Sequence, residues 1–237
     1  MAMRLLCVLA IALFSLPASR AGEIEGLVVV THRLTKKKVT LSAAEYQRGT
    51  AVPLGSNPDG EDALSYERSH VVVYLEDDHP PASARVTMEQ RDRRFVPDLL
   101  VIPRGSTVEF PNLDPIFHNV FSLSRTKSFD LGNYPRGQSR AVTFLKPGVV
   151  LVNCRLHSNM AAAIVVTPNP WAVRANGDGQ FALRDVPPGR HVLVAWHKAA
   201  GFFRQTIEVT ETHAVRAEFV IPLKSDADAG RQARLER

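Results

Sequence analysis

The chain has 237 residues, 45% of them hydrophobic and 22% charged, with a formal net charge of +5. That length holds one large or two small domains, and the hydrophobic share excludes global disorder. Basic residues are scattered among acids apart from Lys36-Lys37-Lys38, and no basic–aromatic platform appears, which argues against a nucleic-acid partner.

Residues 1–21 read as a secretory signal peptide. Arg4 supplies a positive start, Leu5 to Leu16 an apolar run, and Ser19 and Ala21 small residues before a cut at Gly22. The run is too short to span a bilayer comfortably, so the expectation is a periplasmic protein that does not cross the membrane once cleaved. Loss of Arg4 and Arg20 would lower the charge from +5 to +3. Cys7 would leave with the segment, so the mature chain holds Cys154 alone.

Residues 22–83 open with GEIEGLVVV, a strand. A long polar stretch rich in turn residues follows, expected as a surface excursion with the lysine run on a loop or strand edge. HVVVYLE, from His70, is the next strand. Residues 84–167 alternate short strands with turns, the rhythm of a β-sandwich. Residues 168–223 alternate again. Phe181, Leu183 and Val186 precede the Pro187-Pro188-Gly189 turn, then Val192, Val194 and Trp196 share one strand face, predicting a second small sandwich. The tail, residues 224–237, is charged and expected to fray.

A lone cysteine in an oxidising compartment is a buried inert thiol, an intermolecular bridge, a nucleophile or a metal ligand. In GVVLVNC the strand period of two points Cys154 the same way as Val150 and Val152, inward at the end of an inner strand. His157 and Met160 follow in the loop RLHSNM, and His118 in FPNLDPIFHNV is the best candidate for a fourth donor. A thiolate, two imidazoles and a weak thioether form the ligand set of a blue-copper site.

PRGSTVEFPNLDPIFHNV and TFLKPGVVLVNCRLHSNM resemble the cupredoxins, in particular the plastocyanin and amicyanin branch, over residues 84–167. The Cys-x2-His-x2-Met spacing is similar to the amicyanin form. The resemblance implies a Greek-key β-sandwich holding one type 1 copper ion. His118, Cys154 and His157 would be strong ligands and Met160 the weak axial one. It also implies that Asn119, beside the first histidine, ties the two ligand loops together, and that Ile116, Phe117, Leu156 and Ala161 form an apolar docking patch around His157.

NGDGQFALRDVPPGRHVLVAWH resembles the carboxypeptidase regulatory-like, transthyretin-like sandwich. Asp178-Gly179-Gln180-Phe181 and Pro187-Pro188-Gly189 carry the match, and His191 departs from it. GEIEGLVVV and HVVVYLE have the form of that family's first strands, which suggests one sandwich built from both chain ends with the cupredoxin-like unit inserted; three successive domains is the alternative arrangement. The resemblance implies docking to the cell envelope and no peptidase chemistry.

His191 and His197 stand about 20 Å apart along a strand, too far to share an ion. His32, His70, His79 and His213 show no metal spacing and are expected as surface or packed imidazoles. No Gly-x-Ser-x-Gly, His-Glu-x-x-His, P-loop or paired His-x-His pattern occurs, which argues against an enzyme. The leading expectation is a carrier of single electrons between protein partners. Copper sequestration or delivery is a second reading, and a structural envelope module a third.

Overall fold

A computed structural model describes residues 22–35, 63–80 and 82–222. The expected signal peptide, the Lys36–Lys38 run and the tail lie outside the described residues. The described chain is all-β apart from one short helix.

Strand β1 (Gly22–Val30) lies between β14 (Gln180–Val186) and β17 (Val215–Ile221), antiparallel to the first and parallel to the second. Strand β2 (Val71–Leu75) lies between β13 (Ala172–Arg174) and β15 (Gly189–His197), and β16 (Gly201–Val209) completes that sheet. The two sheets close over Ile24, Val28, Val71, Val73, Leu75, Leu193 and Phe219. Strands before residue 76 and after residue 171 therefore share both sheets.

Between them in sequence run ten strands. β3 (Arg85–Thr87), β7 (Ser106–Pro111) and β10 (Ser139–Phe144) form one sheet, in the order β10-β7-β3. The facing sheet has five strands, β6 (Leu99–Pro103), β12 (Ala161–Thr167), β11 (Gly148–Asn153), β8 (His118–Leu123) and β9 (Ser128–Tyr134), in that order. β4 (Glu89–Arg91) and β5 (Arg94–Val96) make a hairpin whose two turn residues, Asp92 and Arg93, adopt φ of 54° and 55°. Val150, Val152 and Cys154 all point into this sandwich's core, beside Phe110, Phe144 and Ile164.

The two sandwiches stack. Val72 and Tyr74 of β2 and Val194 and Trp196 of β15 pack against Leu99 of β6 and Ala163 and Val165 of β12. This corrects the expectation of a single buried face on β15. Leu193 and Ala195 enter one core while Val194 and Trp196 enter the next, because a strand with layers on both sides must be apolar throughout.

The polar excursion differs too, since Ala63–Ser69 form a helix, α1. Seven residues are too few to hold a helix in water. Glu67, fully buried, anchors it by accepting bonds from the Leu34 amide (3.1 Å), the Thr35 amide (2.9 Å) and the Thr35 hydroxyl (2.7 Å).

Candidate metal centre

The centre forms where two strand ends meet. His118 opens β8, and Cys154 follows the last residue of β11, the strand hydrogen-bonded beside it. The 154–160 loop closes on itself. The Cys154 amide donates to the Met160 carbonyl at 3.3 Å and the Met160 amide to the His157 carbonyl at 3.0 Å. That closure returns the chain directly into β12 and fixes His157 and Met160 next to the thiol.

The donor atoms of His118, Cys154 and His157 all lie within 4.8 Å of one another. His118 Nδ1 and His157 Nδ1 are 3.1 Å apart, and Cys154 Sγ is 3.8 Å from His157 Nδ1. Atoms that share one ion at about 2.0–2.3 Å each must stand about 3–4 Å apart, so these three sit at ligand spacing. Met160 is 1% exposed and belongs to the same core cluster as Cys154. Two imidazoles, a thiol and a thioether suit copper better than a hard cation, and the residues present fit that ion.

Hydrogen bonds orient the donors. His118 Nε2 donates to Asp114 Oδ2 at 2.7 Å, which leaves the Nδ1 lone pair toward the other ligands. Asp114 also accepts the Asp92 and Arg93 amides, at 2.7 and 2.8 Å. Burial pushes its carboxyl up, but the Arg93 amide, His118 and the Asp92 amide outweigh that and hold it below the ordinary range. His157 is held below the ordinary imidazole range by burial first, then by His118 and Arg93. A neutral ring is the form that binds a metal. The Asn119 amide donates to Cys154 Sγ at 3.4 Å, while Asn119 Oδ1 accepts the Arg155 amide at 3.4 Å and Asn119 Nδ2 donates to Asp130 at 2.7 Å.

The structure thus brings together His118, Cys154, His157, Met160 and Asn119. Ile116, Phe117 and Leu156 are exposed beside them, whereas Ala161 lines a separate cleft with Trp196 and His197. Two residues that sequence reasoning gave no role are Asp114 and Asn112. Fully buried Asn112 donates to the Ile116 and Tyr134 carbonyls, at 2.8 and 3.0 Å, and so shapes the loop before His118. The only signal for Asp114 was its place four residues before His118. Of the other described histidines, His70 pairs with Asp98 and His197 with Glu67, while His79 and His191 meet at Asp77.

No family model matches this chain, and no curated relative does. Solved structures with similarity include a copper-containing nitrite reductase from Thermus scotoductus SA-01. It is 29% identical with a TM-score of 0.34, over 35% of this chain and 22% of that one. The chain therefore spans about a fifth of the reductase's length. A purple cupredoxin from Nitrosopumilus maritimus is 22% identical with a TM-score of 0.32, covering 35% of this chain and 99% of that one. A point mutant of amicyanin in the Cu(I) form is 17% identical with a TM-score of 0.33, covering 40% of this chain and 97% of that one.

Proposed function

We propose that the protein is a periplasmic electron carrier that holds one copper ion through His118, Cys154, His157 and, weakly, Met160. The observation that carries this reading is the convergence of two imidazole Nδ1 atoms and one thiol at ligand spacing in a buried site. Copper in such a set supplies a one-electron couple. Asp114 and Asn119 hold the His118 ring and the Cys154 sulfur in place, so that donors need little movement between charge states. Ile116, Phe117 and Leu156, exposed near His157, give a redox partner an apolar surface to dock on.

Burial of His118, Cys154 and Met160 favours retention over release, which supports a carrier rather than a delivery protein. The regulatory-like sandwich is assigned to envelope docking by its sequence resemblance, and no catalytic role is assigned to the chain. The test is the absorption spectrum of protein loaded with cupric ion, beside Cys154→Ser. An intense blue band that the variant lacks is expected, with fast electron exchange and slow loss of copper to chelators. A colourless wild type with a freely alkylated thiol would overturn the reading. A blue protein that surrenders copper readily would move it to delivery.

A further inference from the structure

Asp77, His79 and His191 place one ligand atom each within 4.8 Å of the others, far along the chain from Cys154. Asp77 and His79 stand in the turn that follows β2, and His191 is the third residue of β15. Sequence spacing could not show this group, because more than a hundred residues separate its two halves.

The hydrogen bonds of His191 make the group more than a chance meeting. His191 Nε2 lies 2.8 Å from the Pro187 carbonyl, which can only accept, so this nitrogen carries the hydrogen. In the neutral ring the Nδ1 lone pair then faces Asp77 Oδ2 at 2.6 Å. Two lone pairs do not approach that closely unless something positive lies between them. At 2.6 Å that is a shared proton, because two donors on one ion stand about 3–4 Å apart. A metal ion would have to displace the proton and open the pair, and a ligand histidine whose outer nitrogen donates to a carbonyl is the usual arrangement around a metal. His79 adds a third donor atom within 4.8 Å of the other two, which an ion pair between Asp77 and His191 does not need.

The turn is also built to stay in place. Asn169 Nδ2 donates to the Leu75 and Asp77 carbonyls at 2.9 and 2.7 Å. Arg104 donates to the His79 carbonyl at 3.0 Å while its charge is matched by Asp78 at 2.7 Å. The His79 ring stands edge-on to Trp171, with centroids 4.8 Å apart. His191 is nearly buried, with a side-chain exposure of 6%, and Asp77 is a quarter exposed at 26%. One side is left open to water.

We propose that Asp77, His79 and His191 bind a divalent transition ion, with zinc the chemical type that two imidazoles and one carboxylate with an open position suit best. The ion would clamp the turn after β2 to β15 at the point where the chain leaves the first sandwich for the second.

The test counts zinc on the full chain at micromolar free Zn2+, by equilibrium dialysis and metal analysis. Cys154→Ser combined with His157→Ala disables the copper-type centre and should still bind one zinc, with a rise in melting temperature that a chelator reverses. Adding His79→Gln, at a half-buried turn position, should weaken that binding on the order of tenfold or more. In the otherwise unaltered chain, His79→Gln should lower the zinc count by one, which covers failure of the multiple variants to fold. Overturning results are no zinc bound by the Cys154→Ser, His157→Ala chain, or binding that His79→Gln leaves unchanged. In either case a proton fills the gap and Asp77 with His191 is only an ion pair.

Discussion

Asp114 shows how one side chain joins two sites of strain. Asp92 and Arg93 occupy left-handed backbone conformations, each costing roughly 1 kcal/mol for a non-glycine residue. The same carboxylate that caps their amides also receives the His118 ring. An asparagine there would turn its amide hydrogens toward at least one of these donors. Asp114→Asn should therefore lower copper affinity about 10- to 100-fold, measured by chelator competition, because His118 loses its fixed tautomer. It should also cost roughly 1–3 kcal/mol of stability in urea unfolding of the metal-free protein. Unchanged affinity would mean that His118 needs no orientation from outside. The inward position of Cys154 was legible in the sequence, since strand alternation sends it the same way as Val150 and Val152. That of Asp114 was not, because it depends on amides more than twenty residues upstream in a turn that no motif announces.

Among the elements, α1 depends most on a single residue. Burial pushes the Glu67 carboxyl up, but the hydroxyl and amide of Thr35, His197 and the Leu34 amide together hold it below the usual range. Glu67 Oε2 lies 3.1 Å from His197 Nε2, a close contact whose alignment falls short of a hydrogen bond. Burial holds His197 below the ordinary imidazole range, against the upward pull of Glu67. Both groups are thus shifted down on folding, so both contribute stability that is complete above the unfolded imidazole value of about 6.5. That contribution shrinks as pH falls, first as His197 takes a proton and then, below about 4.3, as Glu67 does. Glu67→Gln should cost about 2–4 kcal/mol at neutral pH, and its deficit against wild type should narrow below about pH 4 in denaturant titrations. A deficit independent of pH would show that packing rather than charge holds the helix. The sequence marked this stretch only as polar. The helix exists because its own buried Glu67 meets partners in the segment after β1 and at the end of β15, and local composition does not record such partners.

At the scale of the whole molecule, four larger sheets lie in series with three cores between them. The middle core is the one that couples the sandwiches, and Trp196 is its largest side chain. Trp196→Ala should lower stability by about 3–5 kcal/mol and split one calorimetric transition into two, while the copper spectrum at room temperature stays as in wild type. A single transition that shifts without splitting would place the coupling elsewhere. Most strands of both sandwiches were readable in the sequence, but β8 and β9 were not, and neither was the stacking. Continuous apolar runs such as VVVYL fit any strand buried on two sides and do not say what covers the second side.

The parallel pairing of β1 with β17 also sets an order in time. A chain made from its N-terminus must hold GEIEGLVVV without its neighbour until nearly two hundred further residues have been synthesised. The sandwich that carries Cys154 draws on one contiguous stretch and has every strand it needs much sooner. Its other neighbour, β14, is made only shortly before β17. For most of that wait β1 is an unpaired, valine-rich ribbon able to bond with other unfinished copies, which makes this strand the point where assembly is most exposed to aggregation.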